Sequence, residues 1–180
     1  MQKNANPPIS MPIMYGLIFG TFIIVYSIVT LWFMGDFTKL NETKFKLFEM
    51  LGYLRYLFLI VAVYLAIRQN KKDAPTEATF KMLLKNGVKV AFVIALMVGL
   101  MELVYIFLNP DFYEKYGMMY LQEMKSSGTP ENEIKMAQEQ MERYSVMKTP
   151  WANGLFYFFE TAFIGNIASF AFAMIMRRRD

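Results

Sequence analysis

Apolar residues in this chain come in blocks rather than in a helical or strand period. Four blocks stand out: Pro12 to Met34, Phe48 to Ile67, Val88 to Leu108 and Trp151 to Met176. A helix needs about 20 apolar residues to cross a hydrocarbon core of roughly 30 Å. All four blocks meet that length. The second does so only if it starts before Arg55. Buried helices of a soluble bundle rarely run this long without polar interruption. The pattern predicts an all-α integral membrane protein with four transmembrane helices, approximately 12–34, 48–67, 88–108 and 151–176. The first block is too long for a secretory h-region, and no small-residue cleavage site follows it, so it is expected to stay as a span.

Between the third and fourth blocks lies a long polar segment, roughly 109–150. Asn109-Pro110-Asp111 carries helix-start residues: Asn as a cap, Pro for the first helical position, and Asp for the positive dipole end. A helix to about Lys125 is expected. Ser126-Ser127-Gly128 breaks it, and Thr129-Pro130-Glu131 repeats the start signal. A second helix to about Tyr144 follows, with Ile134, Ala137, Met141 and Tyr144 on one face. This segment reads as an extracytoplasmic helical hairpin. Its greasy face suits packing on the partner helix, the membrane surface, or an external partner. Met118, Met119, Met124, Met136, Met141 and Met147 suit adaptable contacts and ordinary packing equally well.

Charge sets the orientation. Arg68, Lys71, Lys72, Lys81, Lys85 and Lys89 crowd the second connection against Asp73 and Glu77. Lys3 precedes the first span, and Arg177, Arg178 and Arg179 follow the last. The loop from Gly35 to Leu47 and the long hairpin are nearly balanced. Lys and Arg accumulate on the cytoplasmic side, so both termini are expected there. Tyr15, Trp32, Tyr53, Tyr64, Tyr105 and Trp151 near the span ends agree with those limits.

Composition narrows the chemistry. The chain has 180 residues, 56% hydrophobic, with a net charge of +4. This length suits one membrane domain, 1–180. There is no Cys and no His. Disulfides, thiolate chemistry, and zinc sites or triads built on those residues are excluded within the chain. No Walker loop or nucleophile signature appears. No enzyme activity, catalytic residue, cofactor, metal or nucleic-acid partner is expected.

Lipid gives helices no hydrophobic reason to associate, so small residues should mark the contacts. Ala91, Ala95 and Gly99 recur at four-residue intervals on span three. Thr161, Gly165, Ser169 and Ala173 do so on span four, and Gly16 and Gly20 form a pair on span one. This last pair suits either the bundle or a second copy of the chain.

Three ionisable residues interrupt the spans: Arg55, Glu102 and Glu160. Such charges cost at least a few kcal/mol and mark functional or interhelical sites. Glu102 shares a face with Ala95 and Gly99, Arg55 with Gly52, Ala62 and Ala66, and Glu160 with Asn153 and Ile167. At 1.5 Å of rise per residue they lie about 10, 9 and 13 Å from the external span ends, in the order Arg55, Glu102, Glu160. That similarity predicts an Arg–Glu–Glu network, with one acid protonated by burial beside a like charge. Other readings stand beside it. Arg55 could snorkel to the headgroups, Glu102 could be a neutral acid bonded to a carbonyl, or the acids could form an ion or proton site.

The chain resembles an uncharacterised family of four-span bacterial membrane proteins, domain of unknown function 4199. The resemblance rests on Tyr15-Gly16-Leu17-Ile18-Phe19-Gly20 and on the stretch from Phe80-Lys81 to Gly87-Val88-Lys89. It also rests on Asn109-Pro110-Asp111-Phe112 with the Met- and Glu-rich segment after it. The family pattern looks like Asp-Pro where this chain has Asn109-Pro110. The resemblance implies four spans and a bacterial inner-membrane location, and it carries no catalytic residue. The expected function is a structural or accessory protein binding other membrane components, with lipid, a membrane-protein partner or a second copy as partners. The alternative is a small oligomeric transporter or channel using the acidic pair for protons or cations.

Overall fold

The computed structural model describes residues 10–34, 42–76 and 78–177. Lys3, Pro7-Pro8, most of the loop opened by Gly35, Glu77, Arg178, Arg179 and the Tyr144 side chain lie outside the described residues. Among the described residues six α-helices follow one another: α1 (Met11–Met34), α2 (Glu42–Asp73), α3 (Phe80–Leu108), α4 (Phe112–Ser126), α5 (Glu131–Arg143) and α6 (Pro150–Met176). A short 3-10 helix, Tyr144–Lys148, joins the last two. Among the described residues there is no strand. Helices α1, α2, α3 and α6 are long and apolar enough to cross a membrane. The protein is an all-α, multi-pass membrane protein.

Two helices outrun their apolar blocks. Helix α2 starts at Glu42 and ends at Asp73, and α3 starts at Phe80. Arg68, Lys71, Lys72, Lys81, Lys85 and Lys89 therefore sit on helix ends, not on a loop. Lys and Arg are good helix formers, so the charge ends the span without ending the helix. Only 74–79 connects the two helices. Thr79 starts α3 by accepting a hydrogen bond from the Met82 N–H at 3.3 Å, the usual N-cap geometry.

Contacts within the chain gather into two compact units. The first comprises residues up to Ile23, Tyr56–Met97 and residues from Phe159 onward. Its buried interior is aliphatic and small: Leu59, Ala62, Val63, Ala66, Val90, Ala91, Ile94, Ala95, Ala168 and Ala173. Close approach is enforced by glycine. A Cβ at residue 165 would stand 2.5 Å from Ala91 Cβ, and one at residue 87 would stand 2.7 Å from Ser169 Oγ. Gly16 meets Val93 and Gly20 meets Met97, so both face α3 within this unit. Ser169 bonds back to its own helix, donating to the Gly165 carbonyl at 2.6 Å. Large apolar residues such as Ile18, Phe92, Phe163 and Ile175 point outward, as a lipid-facing surface requires.

The second unit comprises Ile24–Arg55 and Val98–Phe158. Here Gly99 and Gly154 oppose each other: a Cβ on either would lie 2.8 Å from the other's carbonyl oxygen. Trp32, Tyr53 and Trp151 are widely exposed, consistent with interfacial rings. A Cβ at Gly52 would meet nothing within 4 Å, so of the face it shares with Arg55, Ala62 and Ala66, Gly52 itself is unpacked while Ala62 and Ala66 are buried. Its position in the register is compatible with packing, but no neighbouring helix among the described residues covers it.

Helix α4 starts later than the residue types suggest. Asn109 does not cap it; its side chain donates back to the Tyr105 carbonyl at 2.9 Å. Asp111 occupies the cap position without a side-chain capping bond. At the other end, Gly128 adopts φ +73°, the Gly128 N–H donates to the Lys125 carbonyl, and the Thr129 N–H donates to the Met124 carbonyl. This pair of bonds is a Schellman motif, and glycine supplies the left-handed residue it needs. Helix α5 then runs beside α4. Met141 lies over Gly117, its Sδ 3.2 Å from where a Cβ would be.

Candidate functional site: a charged clasp beneath the hairpin

The chemistry-bearing side chains of the second unit converge from four helices. Arg55 on α2 donates through Nη1 to Glu102 Oε1 on α3 at 3.1 Å. Their side chains are only 17% and 13% exposed. The Arg55 guanidinium also lies over the ring of Tyr157 on α6, 4.5 Å from its centroid. An arginine presents charge, donors and a flat face together, so it can hold a carboxylate and an aromatic ring at once. The aromatic face adds about 1 kcal/mol or more where water is excluded.

Asn153, one helical turn before Tyr157, is fully buried. Its amide donates to the Glu102 backbone carbonyl at 3.4 Å. Its own carbonyl oxygen accepts a hydrogen bond from the Tyr113 hydroxyl on α4. Gly154 beside it permits the approach of α6 to α3, so the amide reaches the Glu102 backbone. One turn further along α4, the Tyr116 hydroxyl donates to Glu49 on α2 at 3.2 Å. Phe112 packs edge-on against Tyr105, with centroids 5.2 Å apart. The hairpin is thus seated by two phenols and a ring pair.

Burial sets the character of those phenols. It is the largest cause pushing Tyr113 well above its ordinary value of 10.0; Tyr157 and Glu102 add to the rise, while Arg55 opposes it. Burial also raises Tyr116, with Glu49 next as both a charge and a hydrogen-bond partner. Both hydroxyls therefore stay protonated and serve as fixed donors.

Depth groups Arg55, Glu102 and Glu160 in the sequence, and the structure pairs the first two. Glu160 belongs to the other compact unit and is half-buried there. Ala91, Ala95, Gly165, Ser169 and Ala173 pack in the first unit and Gly99 in the second. Sequence reasoning missed Tyr157, Tyr113 and Gly154, and it set Asn153 beside Glu160, whereas its amide bonds the Glu102 backbone. Gly154 had a signal, since it stands seven residues before Thr161 and eleven before Gly165, on one helix face. Gly87 extends the Ala91, Ala95, Gly99 stripe and was hidden only by starting the span at Val88.

Chemically the arrangement is a charge-balanced clasp. Among the described residues no group of three or more acidic side chains could hold a metal ion. No curated protein and no solved structure matches this chain. Residues 14–178 match the family described as "Protein of unknown function (DUF4199)", and the chain belongs to that family.

Proposed function

We propose that this protein is a small accessory component of a bacterial inner membrane. It binds other membrane components and performs no chemistry of its own. The supporting observation is the Arg55–Glu102 pair, largely buried, matched in charge and backed by Tyr157. A transport pathway needs an acid that meets water and changes partners. Here the acid has an arginine, and its backbone has an amide. A buried pair of this kind fixes how helices meet, which suits a scaffold that presents a hairpin.

The six basic residues flanking 74–79, together with Arg177, support a cytoplasmic placement for that connection and for both ends of the chain. The hairpin of α4 and α5 then lies outside. Because the chain has no Cys, single cysteines report topology cleanly. Ser127→Cys should react with a membrane-impermeant maleimide on intact cells, and Ala74→Cys only after permeabilisation. The reverse pattern would sink the orientation. The accessory role is tested in proteoliposomes: the parent should pass no proton or cation flux. A flux abolished by Glu102→Gln would overturn the reading in favour of a transporter.

A further inference from the structure

A cavity of about 850 Å³ opens between α4, α5, the 3-10 helix and the start of α6. Its size falls within the roughly 300–1,000 Å³ of small-molecule sites. Gly117, Leu121, Met141, Met147 and Phe156 give it apolar walls. Glycine at 117 lets Met141 close onto α4, its Sδ 3.2 Å from where a Cβ would be, so α5 forms a wall of the cavity. Three charged residues also line it: Glu114, Glu142 and Lys148.

We propose that this cavity binds a membrane phospholipid whose headgroup carries both an ammonium and a phosphate. Two observations identify the occupant. The first is continuity with the bilayer surface. Phe156 lies within the apolar α6 helix, and both it and its neighbour Leu155 are exposed, so one wall of the cavity is also lipid-facing surface. An acyl chain enters such a space sideways without crossing water. The second is charge. Two carboxylates and one ammonium on the lining match a zwitterionic headgroup, with the phosphate on Lys148 and the ammonium between Glu114 and Glu142. A purely anionic headgroup would meet net repulsion. Methionines on the walls adapt to a flexible chain.

The site deepens the proposed role and rests on it, since it names one of the membrane components bound. It does not depend on the orientation. It also bears on the clasp, because Tyr157 lines the cavity while its ring carries Arg55.

The test is native mass spectrometry of full-length protein, delipidated in mild detergent and titrated with phosphatidylethanolamine or phosphatidylglycerol of matched chains. One phosphatidylethanolamine should bind per chain, about tenfold more tightly than phosphatidylglycerol. Ser145→Trp, at an exposed position on the rim, should reduce that binding about tenfold. Glu139→Trp, at an exposed position that does not line the cavity, should not. Glu142→Lys should reverse the headgroup preference and serves if the tryptophan variant misfolds. Absence of bound phosphatidylethanolamine on folded parent would overturn the proposal. So would equal binding by Ser145→Trp, or an unchanged preference in Glu142→Lys. A parent that binds no phospholipid yet retains a stoichiometric membrane protein overturns the lipid site and leaves the accessory role standing.

Discussion

In the first unit Gly165 lies against the Ala91 side chain and Gly87 against that of Ser169, so close packing of small residues holds the helices. In the second, Arg55 reaches across to Glu102 and Asn153 to a backbone carbonyl, while two tyrosines reach from α4 to α6 and α2. Both are solutions to one problem. Lipid is as apolar as leucine, so burying leucine between helices gains little there. Close packing of small residues gains dispersion contacts but tolerates no change of volume. Polar contacts work over side-chain length and tolerate distance, but each lost partner leaves a group unsatisfied. The unit that must seat an extramembrane hairpin keeps one close contact, Gly99 against Gly154, and adds the longer-reaching means to it.

The largest expected effect breaks the packed side of this comparison. Gly165→Val places methyls where a Cβ alone would already crowd Ala91 at 2.5 Å. Neither residue has a flexible end that can yield, so the helices must separate. A loss of about 3 kcal/mol is expected in reversible unfolding from mixed micelles, at the upper end for overpacking. A variant as stable as the parent would mean that α3 and α6 are not held by close contact.

Next comes the clasp. Arg55→Ala removes the guanidinium from both Glu102 and Tyr157, with an expected cost of about 2 kcal/mol. Arg55→Lys keeps the charge but loses the flat face and should cost about half as much. The order matters more than the size. If both variants melt in detergent with the parent, the polar side of the comparison fails.

The spans were legible because apolar blocks of this length rarely arise except in helices that cross a membrane. Depth then grouped Arg55, Glu102 and Glu160, and the first two pair, because depth fixes a level in the bilayer but not which helices touch there. It said nothing of Tyr157, Asn153 or Tyr113. In a chain with 11 tyrosines and 17 phenylalanines, one ring in an aromatic-rich helix carries no mark of its partner. Helix ends were also hidden, because a lysine that leaves the bilayer continues the helix as readily as it starts a loop. Capping failed for a related reason. Asn109 follows a finished helix as well as preceding a new one, and bonding back to Tyr105 outcompeted capping α4.

Tyr113→Phe probes the seat of the hairpin without touching charge. It removes the donor to Asn153, with an expected cost of about 1 kcal/mol. Faster amide exchange confined to α4 and α5 is the readout, and exchange rising equally in the first unit would sink the assignment. The same phenol predicts a pH dependence. Its folded value is raised above 10.0, so its contribution is complete below that pH. As pH climbs past about 10 the unfolded chain releases the proton and the folded one keeps it, so stability falls. Tyr113→Phe should flatten that decline.

The smallest effect separates buried polar contacts from charge pairing as such. Lys46 stands 3.8 Å from Glu123, joining α2 to α4 within the same unit. By geometry alone it resembles the clasp. Its lysine side chain, however, is 63% exposed, against 17% for Arg55. Water and salt screen it, and holding a long flexible stem in place costs entropy that the attraction barely offsets. Lys46→Ala should change stability by less than about 0.5 kcal/mol, and that change should vanish at high salt. A loss as large as that of Arg55→Ala would mean that any cross-helix charge secures the hairpin. The contrast between the units would then rest on charge rather than on burial.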